Sequence, residues 1–375
     1  MSRLLETIRS QIANAGDVAA LIEAQTRQAI YLARRGENDV SRETIAAIRA
    51  SAIGTLQNEC IARANLAEGV LSFHTGSIEC ARDKLRRAFV LANAGRLSSI
   101  STWCAAWLGL IELNLGRPDG ILTFAKIVIE SAVPSDHSSL ARVGLTIADG
   151  LHFAGKYGIA RPWYEFARGH AVAEGDDVAI EAILHNVSAF RINNIRLDEI
   201  DGAVDQTELQ RAKLDLASCL NYYAGIASRS FGWLLPMLKA QLNLLEGLHS
   251  EAVINLKRLI DTDFDNLPAR LQSVALSDYS FGLAMTGNLE LSALNEKAAH
   301  DLLPADLAWD ERALIFHRFA SSAALRKEPQ IASIMHATAK DAVRMHREIQ
   351  TQFTSVLSAL PLPAELSTHG NVGSE

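Results

Sequence analysis

Glycine returns at a fixed interval along this chain. Gly36, Gly76, Gly116, Gly155, Gly247 and Gly287 each interrupt otherwise helical text, at steps of 40, 40, 39, 92 and 40 residues. The long step divides into 40 and 52 if an unmarked turn sits at Ile195, just after Asn193 and Asn194, and one further step of 40 reaches Lys327. Asparagine tolerates the left-handed backbone nearly as well as glycine, so the Asn-Asn pair is a candidate helix end. A second column supports the register: seven residues before the turns stand Ala29, Gly69, Gly109, Ala148, Ser188, Ala240, Ser280 and Ala320, all small. Ala81, Ala160, Ala252 and Ala332 follow the turns by five residues, and Ala88, Ala167, Ala299 and Ala339 by twelve. Positions seven apart share one helix face, where small side chains let neighbouring helices approach closely.

Between these columns apolar residues recur at helical spacing, as in Ile78, Ala81, Leu85, Ala88, Phe89 and Ala92. Each period therefore predicts two antiparallel helices of roughly 14–18 residues, a hairpin too small to bury its apolar faces unless it stacks on its neighbours. The expected fold is all-α, with about eight such hairpins. Residues 1–16 read as an N-terminal cap helix, 17–195 as a first block, 196–230 as an elongated helix and loop insert, and 231–360 as a second block ending in the C-terminal helix. The tail 361–375, with Pro361, Pro363, Gly370 and Gly373, is expected to be disordered.

Composition excludes several function classes. A 375-residue chain that is 49% hydrophobic is too apolar for intrinsic disorder. Its net charge of −7 argues against a nucleic-acid partner, which usually demands a basic balance. Cys60, Cys80, Cys104 and Cys219 stand alone, so neither a disulfide framework nor a zinc site is expected, and a reducing cytoplasm is the expected setting. Arg3, Glu6 and Arg9 break up any leader-like apolar run, and the uncharged stretch Leu97 to Ile111 has fifteen residues, short of the roughly 18–20 that span a bilayer. Asp261, Asp263 and Asp265 open like a calcium loop, but Asn266 replaces its glycine and Gln272 its bidentate glutamate. No nucleophile–base motif or metal-ligand spacing emerges, so no catalytic residue, metal or cofactor is expected.

The columns resemble the tetratricopeptide repeat (TPR). Leu108-Gly109 with its turn at Gly116, Gly69 with Ala81 and Ala88, and Ala160 with Tyr164 and Ala167 carry the likeness. The forty-residue unit is similar to the longer TPR-like repeats of MalT-type regulators and of sensor regions in bacterial signalling. The resemblance implies a right-handed α-solenoid whose first helices line a concave groove that holds a peptide, a protein segment or a small effector. The function expected on that basis is a non-catalytic adaptor or regulatory protein taking a peptide or protein segment. An effector sensor is the alternative. An α/α toroid enzyme would use hairpins of similar length, but it needs a pair of carboxylates that the sequence does not display. A homodimer formed through Phe353, Val356, Leu357 and Leu360 is a further expectation, with simple capping by the same residues as its rival.

Helix geometry identifies candidate groove positions at 13, 10, 9, 6, 3 and 2 residues before each turn. They select Trp103 and Trp107 in the third hairpin, Arg142, Asp149 and His152 in the next, and His185, Asn186 and Asn193 after that. Later hairpins add Gln241, Asp278, His317 and Arg318. Polar side chains on apolar helices cost stability when buried unpaired, so a file of them suggests a wetted, ligand-accepting surface, strongest over His185 to Asn194. The competing reading is that they bond to neighbouring helices and that the tryptophans fill the seam.

Overall fold

Left-handed residues end the first helix of each hairpin. In a computed structural model that describes residues 2–226 and 234–365, every glycine of the forty-residue series, from Gly36 to Gly287, has positive φ. Lys327 does too, at φ 64, so the turn falls where the period places it although no glycine is there. The described residues hold seventeen α-helices. After α1 (Arg3–Ala13) they pair as α2 (Val18–Arg34) with α3 (Asn38–Ala50), α4 (Gln57–His74) with α5 (Ile78–Ala94), and α6 (Ser98–Asn114) with α7 (Pro118–Ser131). Next come α8 (His137–Phe153) with α9 (Tyr157–Glu174), and α10 (Asp177–Ile200) with α11 (Gln206–Ile226). The last three pairs are α12 (Leu234–Leu245) with α13 (His249–Asp263), α14 (Ala269–Met285) with α15 (Leu289–Asp301), and α16 (Trp309–Leu325) with α17 (Pro329–Leu357). The chain is all-α, an array of helical hairpins.

One turn differs from expectation. Helix α10 runs unbroken through Ile195 for 24 residues, and the chain turns instead at Gly202, φ 72. From Gly155 to Gly202 is 47 residues and from there to Gly247 is 45, so the irregular step is two lengthened hairpins rather than one normal and one expanded. The asparagines do not end the helix because their amides serve tertiary bonds. Asn193 Nδ2 donates to Asp310 at 3.0 Å, and Asn194 Oδ1 accepts from Gln350 at 3.4 Å. The boundary expected at residue 195 thus lies inside a helix. Of the expected insert, 227–230 lie outside the described residues, as do 366–375 of the tail, whereas Pro363 to Glu365 are helical.

The described residues divide into two units. Unit 1 comprises 2–183, 223–226 and 352–365, and unit 2 comprises 184–222 and 234–351. In unit 1, α4 packs on α2 and α6, and α8 on α6, while each also packs on its own hairpin partner. The seam is built from the small column: Ala29, Ala81 and Ala88 are fully buried around Leu66, Leu85 and Trp107. In unit 2, α14 stacks on α16 in the same manner, with Ala240, Ala252 and Ala339 buried.

Both ends of the chain find apolar partners in unit 1. Leu4, Leu5 and Ile8 of α1 pack with Tyr31 and Val178, and Ser2 and Tyr31 each donate to Asp177 Oδ1 at 2.9 Å. The cap helix therefore joins the first hairpin to the turn that follows the fourth. Phe353, Leu357 and Leu360 are buried, with the Phe353 and Phe153 rings 5.0 Å apart and Leu357 against Gly150. These are three of the four residues expected to pair two chains, and α8 of the same chain packs against Phe353 and Leu357. Among the described residues no helix is long and apolar enough to cross a membrane.

Candidate functional site

The turn after α7 delivers Asp136, which caps α8 by accepting from Ser139 N at 3.1 Å. That cap fixes where α8 begins, and with it the direction of His137, Ser138 and Arg142. Across from them, on α6, stand Trp103 and Trp107, one helical turn apart. Helix α2 contributes Glu23, Arg27, Ile30 and Arg34, and α4 contributes Arg63. The segment 174–183 closes the remaining side with Glu174, Asp176, Ala179 and Ile183.

These residues enclose two adjoining chambers in unit 1. An outer one of about 360 Å³ is lined by Glu23, Arg27, Arg63, Trp103, Asp136, His137 and Glu174. An inner one of about 20 Å³ is lined by Ile30, Arg34, Trp107, Arg142, Leu145 and Asp176. Trp103 and Ser138 border both. Ion pairs hold most of the charge in place. Arg34 makes a bidentate bond to Asp176 at 2.6 and 3.1 Å, Arg27 pairs with Glu174, and Arg63 pairs with Glu59 at 2.9 Å and Glu23 at 3.3 Å. The inner wall is aromatic: the Arg142 guanidinium sits 4.2 Å from the Trp107 ring centre, and His74 and Phe73 meet that ring edge-on at 6.0 and 6.2 Å. At the outer rim the His137 and His170 Nδ1 atoms lie 2.9 Å apart, and burial followed by His137 lowers the His170 pKa.

Of the sequence-selected residues, Trp103, Trp107 and Arg142 line these chambers. Asp149 and His152 lie instead in the seam between α8 and α9, where the Tyr164 hydroxyl donates to Asp149 at 2.8 Å and lies 3.3 Å from His152 Nδ1. His185 is buried with its Nδ1 3.2 Å from the Asn186 amide oxygen, and burial takes its pKa down to about 4. Gln241, Asp278 and Arg318 come together in unit 2, but with each other. Asp278, 0% exposed, accepts from Arg196 Nη2 at 2.6 Å, from Arg318 Nε at 3.3 Å and from Gln241 Nε2 at 3.3 Å. Glu199 pairs with Arg318 at 2.9 Å. Beside them, burial and then Arg318 lower the His317 pKa to about 4. The polar residues of unit 2 thus centre on Asp278 and pair with one another, although Arg196 Nε and Arg318 Nη1 stay without a hydrogen bond, while those of unit 1 border open space.

Sequence reasoning missed Glu23, Arg27, Arg34 and Arg63, although they sit 13, 9 and 2 residues before Gly36 and 13 before Gly76. The register rule applied to the first two turns would have found all four. Glu174 and Asp176 carry no periodic signal, because they lie at the junction between hairpins. Among the described residues no group of three or more His, Cys, Asp or Glu could hold a metal ion. No known protein family and no curated protein matches the chain.

Proposed function

We propose that the chain is a TPR-like α-solenoid with a regulatory, non-catalytic role, and that the cavity of unit 1 receives a small effector or a short peptide. One observation carries this reading: three successive first helices, α2, α4 and α6, turn the same register position, Glu23, Arg63 and Trp103, toward one cavity of about 360 Å³. That size lies in the range of small-molecule sites. The lining supports it as well, since a few charged groups fixed by ion pairs surround a tryptophan platform, a combination that orients a ligand without moving on binding. A long protein segment, the occupant expected from the resemblance, would need a continuous groove, whereas here segment 174–183 stands across from α6 and α8. The role belongs to a cytoplasmic signalling or regulatory setting, as the MalT-type resemblance implies.

The test is a thermal-shift screen of the full chain against metabolites and di- to tetrapeptides, with hits repeated on Trp103→Ala. Stabilising compounds whose effect disappears in W103A support the cavity. Hits that bind W103A as tightly as wild type would place the ligand elsewhere.

A further inference from the structure

The inner chamber holds a cation, Arg142, that no carboxylate pairs with among the described residues. Arg142 stacks on Trp107, yet among the described residues its guanidinium makes no hydrogen bond and no ion pair. The other arginines lining the two chambers, Arg27, Arg34 and Arg63, each hold a carboxylate. The carboxylates nearest Arg142 are already engaged. Asp176 receives both Arg34 nitrogens and the Ala179 N–H at 2.9 Å, and Asp149 receives the Tyr164 hydroxyl. Desolvation, then Arg34, lower the Arg142 pKa to about 9, with Asp176 and Asp149 offsetting this only in part. The side chain stays charged at neutral pH, half-buried, with no carboxylate paired to it.

We propose that Arg142, stacked on Trp107, is the seat for the carboxylate of a small ligand whose body fills the outer chamber. This deepens the reading of the cavity as a binding site and rests on it. A guanidinium lying over an aromatic face still offers its N–H edges, a planar fork that matches a planar carboxylate. The inner chamber, about 20 Å³, has room for about one water-sized group. That suits a carboxylate oxygen and is too tight for a tetrahedral phosphate. The Trp107 indole nitrogen, buried and without a hydrogen-bond partner, is a further donor on a residue that lines the same chamber.

The experiment uses the full chain labelled with 5-fluorotryptophan, the Trp107 ¹⁹F resonance being assigned from Trp107→Phe. The probes are benzoate, N-acetylphenylalanine and N-acetyl dipeptide acids, each beside its primary amide, and inorganic phosphate. The expected result is a saturable shift of the Trp107 resonance with acids and none with amides or phosphate. Arg142→Gln is expected to weaken acid binding about ten- to hundredfold, the scale of one charge-assisted hydrogen-bonded pair. Arg142→Lys, which keeps the charge but loses the fork, should fall between, and it carries the comparison if circular dichroism shows R142Q unfolded. Benzoate binding as well as the dipeptide acids would mark a small carboxylic acid, and preference for the dipeptides a peptide C-terminus. Amides or phosphate acting as strongly as acids, an unchanged response in R142Q, or no shift by any acid up to about 50 mM, weaker than one such pair provides, overturns the proposal. Screen hits lost in W103A but retained in R142Q would leave the cavity reading standing while removing this one.

Discussion

Asp278→Asn removes the charge on which the buried network of unit 2 is centred. Arg196 and Arg318 expose 2% and 1% of their surface, and Asp278 none. Without the carboxylate, Arg196 loses its ion-pair partner at 2.6 Å, and Arg318 keeps only Glu199. Burial already lowers the Arg196 pKa, with Asp278 the largest opposing influence, so the substitution leaves a desolvated charge uncompensated. Breaking a buried pair from one side costs about 3–5 kcal/mol, a large fraction of the roughly 5–15 kcal/mol that holds a typical domain together. The amide can still accept from one arginine, which places the expected loss near the lower end, about 3 kcal/mol.

A chain with two units need not unfold in one step, so a single melting point is the wrong readout. Hydrogen exchange resolved by peptide gives a free energy for each helix. In D278N, protection should fall by about 3 kcal/mol in α10, α14 and α16, and stay unchanged in α4 and α6. A second variant separates charge from packing: Arg196→Met, Asp278→Leu, Arg318→Met and Glu199→Gln together remove all four charges of the network, a change that is often neutral or stabilising. It should recover most of the loss. A cost below about 1 kcal/mol for D278N, the scale of an exposed pair, would refute the reasoning, and so would a quadruple variant as unstable as the single one.

Three further outcomes follow from particular contacts. His185 is neutral in the fold, with a pKa of about 4 against about 6.5 unfolded, so its contribution is complete above pH 6.5 and is lost as pH falls toward 4. That loss is about 2 kcal/mol at pH 5, and His185→Gln should flatten the acid limb of a stability-against-pH curve; an unchanged slope would remove the histidine from the explanation. Gly69→Ala and Gly109→Ala should differ in sign. The first would set a Cβ 2.6 Å from the buried Leu85 Cγ and cost about 1–2 kcal/mol net, while the second meets only ordinary contacts, 3.7 Å at the nearest, and should gain about 0.5–1 kcal/mol in urea unfolding. Asp176→Asn removes the bidentate partner of Arg34 and weakens the cap at Ala179 N, so exchange should rise in α2 and at the start of α10; unaltered protection there would show that the pair contributes little.

What the sequence made legible was everything that repeats. A left-handed turn needs glycine or a tolerated substitute, and close helix packing needs small residues, so the hairpin turns and the seams could be read from spacing. Gly202 broke the pattern only because two hairpins are longer, and Asn193 misled because its preference for left-handed turns yields to a tertiary bond with Asp310. The inward register also held its meaning at Trp103, Trp107 and Arg142. What it could not say was which inward polar residues would meet each other. Asp278 and Arg318 stand 40 residues apart at equivalent positions of successive hairpins, so stacking brings them together. Asp176 and Arg34 are 142 apart, and their pairing depends on the first hairpin returning to the turn after the fourth.

The same rule of position yields opposite outcomes in the two units because of how charge is distributed along it. In unit 2 the inward arginines, Arg196 and Arg318, face Asp278 and Glu199, so two positive charges meet two negative ones. In unit 1 the chamber-lining arginines outnumber the carboxylates left for them once Asp136 is taken as a helix cap, and the residue left over is Arg142. A leucine or methionine there would cover Trp107 as well, so packing on the tryptophan does not by itself require a guanidinium at that point. Arg142→Met in ligand-free protein tests this directly. If the arginine serves a ligand, the variant should be as stable as wild type or more so, since the cation–π contact returns only about 0.5–2 kcal/mol against the desolvation it incurs. A loss of more than about 2 kcal/mol in R142M would make Arg142 a structural residue, held by Trp107 for the sake of the core.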